Sequence, residues 1–549
     1  MLAYRGSMSA LRSGACRRAL ARLYSSGSRK QLSIDAGTLE FSKRNGILEG
    51  KLKQYYPSLS NIRVDPLYKP TTLEKFRADY VVAQEGPVDD ESNQFYVNGR
   101  VKSIRFSGKK ICFIDVYSNQ SGAQLQLIIN FQRIDRKEQC EFVGSLEFLK
   151  VGDFIQAYGF PSYSKSRART MSLNCTKLPV LLSAAQLSLP PKLSDAAKIK
   201  NNRVVDYQVN GVEVLLLRHS ILKSLRDFFD SRGFVEVETP ILSSKSNGAA
   251  AQPFKTTSHS LPKNANELEM RVAPELWLKR LVVSGLDKVY EIGKVFRNEG
   301  VDAIHNAEFT TLEFYQSFTS MEQLIEISEE LFKKVLLDLT KSHDNDVLGK
   351  LNSVLRENNW KFKRVEFLPT LTKELGVDFS KVNLENADEI YGVLPRDAEI
   401  PKNLSSQQLL NKLCAKYIEP LHCNALLPTV IYHHPTVMSP LAKTNPLNPD
   451  TTKRFEIFIN GQEYINAYEE ENCPQLQLAK FEAQQKAGET YNDKESLNVD
   501  YNYVEAMKWG MPPIGGFGLG IDRLCMLLLN KKRLEEVIAF GCLDDVNRQ

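Results

Sequence analysis

The stretch EIGKVFRNEGVDAIHNAEFTTLEFYQSF, Glu291 to Phe318, constrains the fold more than any other part of the chain. From Glu308 onward it alternates: Phe309, Thr311, Glu313 and Tyr315 fall on one face of a strand, and Leu312, Phe314 and Phe318 on the other. The run from Val289 to Arg297 reads as its antiparallel partner, joined through the polar residues Asn298 to Asn306, a connection too long for a tight turn. One face of such a pair packs, while the other brings an Arg, a Glu, a His and an aromatic ring to one end. A salt-bridged hairpin around an aromatic core residue would give the same pattern, so the decision rests on what the rest of the chain adds.

At 549 residues the chain is too long for one core and calls for about three or four domains. With 25% charged and 42% hydrophobic residues it reads as a soluble globular chain, and no apolar run approaches the ~18 residues that span a bilayer. Nine cysteines, odd in number and without a C-x-x-C pair, point to packed thiols rather than a disulfide framework or a zinc site. Residues 1–30 stand apart: Arg5, Arg12, Arg17, Arg18, Arg22, Arg29 and Lys30 lie among Ser, Ala and Leu, with no acid before Asp35. That is the composition of a mitochondrial transit peptide, with a basic RNA-holding tail as the alternative, and it predicts import into the matrix. Without those positive charges the net charge falls from +5 to −2, so any nucleic-acid surface on the mature chain must be a local patch.

Residues 31–90 are polar, with helical stretches at Gly37 to Gln54 and Thr71 to Gln84, and carry no recognisable chemistry. From 91 to 186 the pattern becomes short strands: FYVNGRV, KICFIDVY, AQLQLIIN, DFIQAYGF and a last run near Met171 to Leu178, with a helical segment (Phe131 to Leu149) between the third and fourth. Five strands interrupted there by a helix predict an OB-type barrel. No acid occurs from Phe154 to Ser194, where Lys165, Arg167, Arg169, Lys177 and Lys192 form a basic margin suited to single-stranded nucleic acid. Phe106 and Phe113 fit either base stacking or the barrel core. Residues 187–210, with Pro190-Pro191, read as a linker into a domain spanning 211–549.

That domain opens with a helix over Val212 to Ser231 and a strand FVEVETPIL that ends near Pro240; a further helix begins at Pro274. Residues 319–425 read as a helical insertion. In FEIFINGQEYINAYEE, Asn460-Gly461 is a two-residue hairpin signal, and a tight turn puts Glu456 and Glu463 on one face, where two carboxylates suit a hydrated divalent cation. The run ends in Glu469, Glu470 and Glu471, of which Glu469 and Glu471 read as solvated acids. Gly516, Gly518 and Gly520 form neither a dinucleotide fingerprint nor a Walker loop; small residues there let a flat group lie on the backbone, with Arg523 as a fixed cation.

Taken in order, GFVEVETP (Gly233 to Pro240), FRNEG with HNAEFTTLEFY (Phe296 to Tyr315) and GFGLGIDR (Gly516 to Arg523) resemble the three motifs of the class II aminoacyl-tRNA synthetases, in particular their lysine-specific branch. The resemblance runs from about Phe95 to Phe540. It implies an α+β fold, with an antiparallel sheet flanked by helices behind an all-β OB barrel that binds the anticodon. It also implies a homodimer formed around Pro240, and ATP, L-lysine and tRNA(Lys) as substrates, with Mg2+. By position in the motifs, Arg297 would bridge the amino-acid carboxylate and the α-phosphate, and Phe309 would stack on adenine. Glu299 and Asn306 would read the adenine edge, His305 and Arg523 would face the outer phosphates, and Glu456 and Glu463 would hold the metal. The amino-acid pocket would be Glu275, Glu313, Tyr315, Asn466, Tyr468 and Glu470, and Phe113 with Gln126 would lie near the anticodon. Ala307 and Cys473 depart from the usual Pro and Asp without removing a catalytic charge. The rival readings are the aspartyl and asparaginyl branch, whose pockets need cations or amides, and an inactive nucleic-acid-binding relative.

Strict alternation from the Asn460-Gly461 turn sets Asn466, Tyr468 and Glu470 on the face opposite Glu456 and Glu463, whereas the resemblance puts all five in one pocket. The two readings agree only if the strand is bulged near Tyr464 and Ile465.

Overall fold

The computed structural model describes residues 39–62, 65–81, 89–164, 171–246, 248–249, 251–262, 266–395, 398–491 and 497–540. The basic leader and Lys165, Arg167 and Arg169 of the barrel margin lie outside the described residues. The chain forms two compact units, Met1–Val212 and Glu213–Gln549.

In the first unit the helices α1 (Leu39–Gly50) and α2 (Leu73–Val81), with a single turn at Leu52–Tyr55 between them, precede the strands β1 (Phe95–Ser107), β2 (Ile111–Tyr117), β3 (Gln124–Asn130), β4 (Phe154–Tyr163), β5 (Met171–Cys175) and β6 (Val180–Ser183). The strands pair in the order β1-β2-β3-β5-β4-β6, β3 runs parallel to β5, and β1 also pairs with β4, which closes the barrel. Closure needs Gly159: a Cβ there would stand 2.1 Å from the Asn174 carbonyl oxygen. Alternation sends Cys112, Ile114, Val116, Leu125, Leu127 and Ile129 inward. Phe113 and Gln126 fall on the other, partly exposed face, and Phe106 is 46% exposed, so neither Phe is core. The helix α3 (Phe142–Phe148) between β3 and β4 is shorter than the pattern of 131–149 suggests, because residues 131–138 turn before it.

The segment before the barrel belongs to it. Leu48, Leu73 and Phe76 join the barrel core, and Arg44, 3% exposed, makes a 2.6 Å ion pair with the fully buried Asp153. Residues 187–210 are partly helical, with Asp195 and Asn202 capping Ala196–Asn201 and Arg203–Asn210.

The second unit is built on an eight-stranded sheet of β7 (Val235–Glu236), β8 (Lys288–Phe296), β9 (Glu308–Ser317), β10 (Lys363–Glu366), β11 (Thr429–Tyr432), β12 (Arg454–Ile459), β13 (Gln462–Glu469) and β14 (Ile514–Gly520). Its order is β10-β11-β12-β13-β14-β9-β8-β7, antiparallel except for the two edge pairs. One face, with Leu312, Phe314, Ile465, Ala467, Phe517 and Leu519, packs against the helices α4 (Glu213–Asp230), α6 (Met321–Leu339) and α8 (Ile521–Leu528), and Phe314 stacks on Phe517 at 4.6 Å. The opposite face carries the polar residues and is flanked by α5 (Glu275–Val283) and α7 (Tyr501–Met507).

Three local expectations change. Phe318 is not packed with Leu312 and Phe314: the strand ends at Ser317, and Phe318 adopts φ 57 and is 72% exposed. Of FVEVETPIL only Val235–Glu236 joins the main sheet; Leu242–Ser243 pairs instead with Glu267–Met270 in a three-stranded sheet. Within 319–425, α6 and β10 belong to the main core and sheet, while residues from Val365 to Cys423 build a second core around Phe367, Leu371, Leu409 and Leu413.

Candidate active site

The polar face of the sheet floors a cavity of about 790 Å³. Glu275, Arg297, Glu299, His305, Asn306, Phe309, Glu313, Tyr315, Glu456, Glu463, Asn466, Tyr468 and Arg523 all line it. Glu470 does not line it but stands just behind its closed end. Phe113 and Gln126 are in the other unit, and Pro240 is on the surface.

The hairpin β12–β13 decides which side chains reach this face. Asn460 and Gly461 both have positive φ, 50 and 73, as a type I′ turn requires. Ile459 pairs with Gln462 and Phe458 with Glu463, but Ile457 then pairs with Ile465, leaving Tyr464 as an extra residue. This bulge re-aims the strand, so that Glu463, Asn466 and Tyr468 line one cavity with Glu456.

At one end stand the cations. The Arg297 guanidinium lies 5.1 Å from the Phe309 ring centroid, and burial pulls its pKa down. Arg523 donates to the Glu463 carbonyl at 2.9 Å and to His305 Nε2 at 2.8 Å. Since Nε2 accepts from a guanidinium, the ring proton sits on Nδ1, which faces the Asp302 carboxylate at 2.9 Å. Glu456 is gripped by Arg454 at 2.6 Å and faces His434 at 3.3 Å. Burial opposes charge on Glu456, yet His434 and Arg454 hold its pKa at about 2. Burial and the charge of Glu456 push Glu463 up to about 7.

At the other end the carboxylates gather. Glu275 accepts from the Tyr468 hydroxyl at 2.6 Å, and the Tyr315 hydroxyl donates to Glu313 at 3.3 Å. Burial, then the charge of Glu275, raises Glu313 to about 8. Glu470 is 2% exposed, and its Oε1, a buried atom with no hydrogen-bond partner, would lie 2.0 Å from a Cβ placed on Gly516. Gly516 is therefore glycine to make room for Glu470 and for Tyr315, 2.6 Å from the same point.

Sequence reasoning passed over several contributors, Arg454 beside Glu456 among them. Lys279 is fully buried between Glu275 and Glu470, its Nζ 2.5 Å from each. Its sequence signal, Glu275 and Lys279 four residues apart on a helix, is the one that surface pairs share. His434 and Asp302 hold Glu456 and His305. Asp522 accepts from the Thr310 backbone N–H at 2.8 Å and pairs with Arg218 at 2.6 Å, fixing α8 against β9.

The run of three acids also differs from expectation. Glu471 is 1% exposed and pairs with Lys443 at 3.0 Å and Lys480 at 2.9 Å. Glu469 accepts from the Met321 backbone N–H at the start of α6. Neither is a solvated acid, because the chain after β13 turns inward, where Glu470 bridges to Ala442.

Comparison with known proteins follows the same lines. The profile of the family described as tRNA synthetases class II (D, K and N) matches residues 196–543, and the chain belongs to that family. Within it, the chain is 52% identical to the mitochondrial lysine–tRNA ligase of Saccharomyces cerevisiae, over 97% of this chain and 96% of the relative. It is 38% identical to the mitochondrial lysine–tRNA ligase of Schizosaccharomyces pombe, over 86% and 88%, and 37% identical to the lysine–tRNA ligase of Lactococcus lactis, over 81% and 87%.

Proposed function

We propose that the chain is a mitochondrial lysine–tRNA ligase, which joins lysine to ATP as lysyl-adenylate and then passes the lysyl group to the terminal adenosine of tRNA(Lys). The observation that carries this reading is the polarity of the cavity. Glu275, Glu313 and Glu470 cluster at its closed end, and Arg297, His305 and Arg523 line the open part. An amino acid with a second ammonium suits the closed end; an aspartate side chain would meet like charge there and an asparagine amide would bring no cation to the carboxylates, which counts against the aspartyl and asparaginyl reading.

In the first step a lysine carboxylate oxygen attacks the α-phosphorus, the bond from that phosphorus to the bridging oxygen breaks, and pyrophosphate leaves. The nucleophile is already an anion, so no general base is needed; alignment and charge neutralisation do the work. Arg297 bridges the two reacting groups, Phe309 stacks on adenine beside Glu299 and Asn306, and Arg523 with His305 receives the outer phosphates. With its proton on Nδ1, the His305 ring accepts from Arg523 through Nε2, and it donates to a phosphate through that atom only after Nε2 takes up a proton. In the second step a ribose hydroxyl of the terminal adenosine attacks the carbonyl carbon, and AMP leaves.

Glu456 and Glu463 fit magnesium: two carboxylates share one face, and the like charge that lifts Glu463 is what a divalent cation relieves. Bound there with ATP, the ion would neutralise triphosphate charge. For tRNA, Phe113 and Gln126 on the outward face of the barrel support anticodon contact. The exposed apolar residues Val235, Ile241 and Leu242 around Pro240 support a homodimer.

ATP–pyrophosphate exchange run across the amino acids tests the reading. Lysine-dependent exchange, with aspartate and asparagine inert, is expected; exchange with either of those, or with none, overturns it.

A further inference from the structure

Lys279 has no part in the chemistry above, yet it is 0% exposed and touches the amino-acid pocket from behind. It comes from α5, paired with Glu275 of the same helix and with Glu470 beyond the end of β13. The rings of Tyr468, Tyr315 and Tyr503 surround its ammonium at 5.5, 5.8 and 5.9 Å. The groups facing it are therefore two carboxylates and three phenols, drawn from α5, β9, β13, α7 and the turn after β13.

Packing alone does not account for this residue, since a buried ion pair replaced by apolar side chains is often neutral or stabilising. The pocket's charge does account for it. Glu275, Glu313 and Glu470 confined together would repel and take up protons; burial and Glu275 already push the Glu470 carboxyl up, and Lys279 opposes that shift. Burial opposes charge on Lys279 too, but Glu275 and Glu470 together raise its pKa above that of an ordinary lysine, so it stays charged. Once the entering ammoniums have ionised all three carboxyls, one resident ammonium among three carboxylates leaves two negative charges, matching the two ammoniums that a lysine substrate brings. The geometry agrees: Oε2 of Glu470 lies 2.5 Å from the Lys279 ammonium, while Oε1 is turned toward Gly516 and Tyr315, and neither oxygen is saturated by hydrogen bonds.

Resting on the lysine pocket proposed above, and on Glu470 as the carboxylate of its closed end that meets the side-chain ammonium, we propose that Lys279 is a positioning residue for specificity. It is a built-in counter-cation that orients Glu275 and Glu470 and leaves one Glu470 oxygen for lysine.

The test is pyrophosphate exchange by the full chain as Lys279→Met, Glu470→Gln and the double variant, with KM for lysine and for ATP measured from pH 6.5 to 9. Lys279→Met should raise KM for lysine by about 30-fold or more, as expected when a buried charge loses its partner, and leave KM for ATP within about threefold. Its lysine dependence should improve toward high pH more steeply than that of wild type, as the unneutralised carboxylates ionise. The double variant should be no more than about threefold worse than the poorer single variant, because both changes remove the same pair. If Glu470→Gln raises KM for lysine and Lys279→Met does not, the inference fails and the pocket reading stands. If Glu470→Gln leaves KM for lysine unchanged, the pocket reading fails. Should Lys279→Met alone not fold, the double variant should fold, with the lysine KM of Glu470→Gln; if it stays unfolded, Lys279 is a packing residue and the inference is overturned.

Discussion

Glu456 stands directly across the hairpin from Asn466, not from Ile465, its partner in an unbroken register. The one-residue offset comes from Tyr464, and it decides which face of β13 holds the pocket. Because side chains alternate with period two, a slip of one residue moves every later side chain to the other face. An alanine inserted between Ile465 and Asn466 should therefore keep the hairpin but turn Asn466, Tyr468 and Glu470 away from Glu456, whereas deleting Tyr464 would leave Glu456 across from Asn466. Lysine-dependent exchange should fall by roughly three orders of magnitude or more, measured beside circular dichroism to follow the fold.

Gly516 offers a smaller perturbation at the same place. A methyl group there would meet Glu470 Oε1 at 2.0 Å and the Tyr315 ring at 2.6 Å, and both side chains are buried. Neither can swing clear, so Gly516→Ala should raise KM for lysine by about 100-fold or more, in the range expected when a well-packed site is overfilled. KM for ATP should stay within about threefold, since Phe309 and Arg523 lie toward the other end of the cavity; an equal rise in both would place the damage in the fold instead.

Glu313 sets a pH dependence whose sign follows from its surroundings. Burial and Glu275 raise it to about 8, so in the empty pocket it is protonated at neutral pH. An ammonium entering beside it favours the carboxylate and releases that proton. At constant lysine charge, kcat/KM for lysine should rise as pH approaches about 8 and level off above it. Glu313→Gln should flatten that limb, and calorimetry of lysine binding in buffers of different ionisation enthalpy should detect the released proton. In the unliganded enzyme the same shift makes this group's contribution to stability fall as pH rises from 4.5 toward 8.

What was legible in the sequence was whatever local chemistry fixes. The alternation from Glu308 to Ser317, the positive-φ turn at Asn460-Gly461 and the conflict of faces that demands a bulge are all properties of a few neighbouring residues. What was not legible depends on residues far apart in the chain. Lys279 looks like half of a surface pair until Glu470 arrives from 191 positions away, and the segment before the barrel looks like polar filler until Arg44 meets Asp153, 109 residues on. Phe318 failed for a simpler reason: the period continues past the point where the ladder stops, and periodicity carries no signal for a strand's end.

The Arg44–Asp153 contact makes the segment before the barrel a stability element. Arg44 also donates to the Ala185 carbonyl at 2.8 Å, and Asp153 accepts from the backbone N–H groups of Lys150 and Ala185 at 2.8 Å each. Arg44→Leu leaves the fully buried carboxylate of Asp153 without its cation and should destabilise the barrel unit by about 3 kcal/mol, read from its denaturant midpoint. Pyrophosphate exchange, which does not use the barrel, should be nearly unchanged where both units remain folded.

The acids on either side of Glu470 separate stability from recognition. Glu471 is buried against Lys443 and Lys480, and those two bonds hold its carboxyl below the ordinary range despite burial. Glu471→Gln leaves two ammoniums competing for one amide oxygen, so about 3 kcal/mol of stability should be lost while KM for lysine moves far less than in Glu470→Gln. The sign with pH follows from the depressed pKa: this contribution is present above the ordinary carboxylate pKa and is lost as pH falls through the lowered one. Glu469 uses one oxygen to accept from the Met321 N–H, which a glutamine can also do, so Glu469→Gln should change stability by no more than about 0.5 kcal/mol. Thermal midpoints of the three variants, set beside their lysine KM values, check the order. A Glu471 variant as stable as wild type, or a Glu469 variant as impaired in lysine binding as Glu470→Gln, would contradict this division of roles.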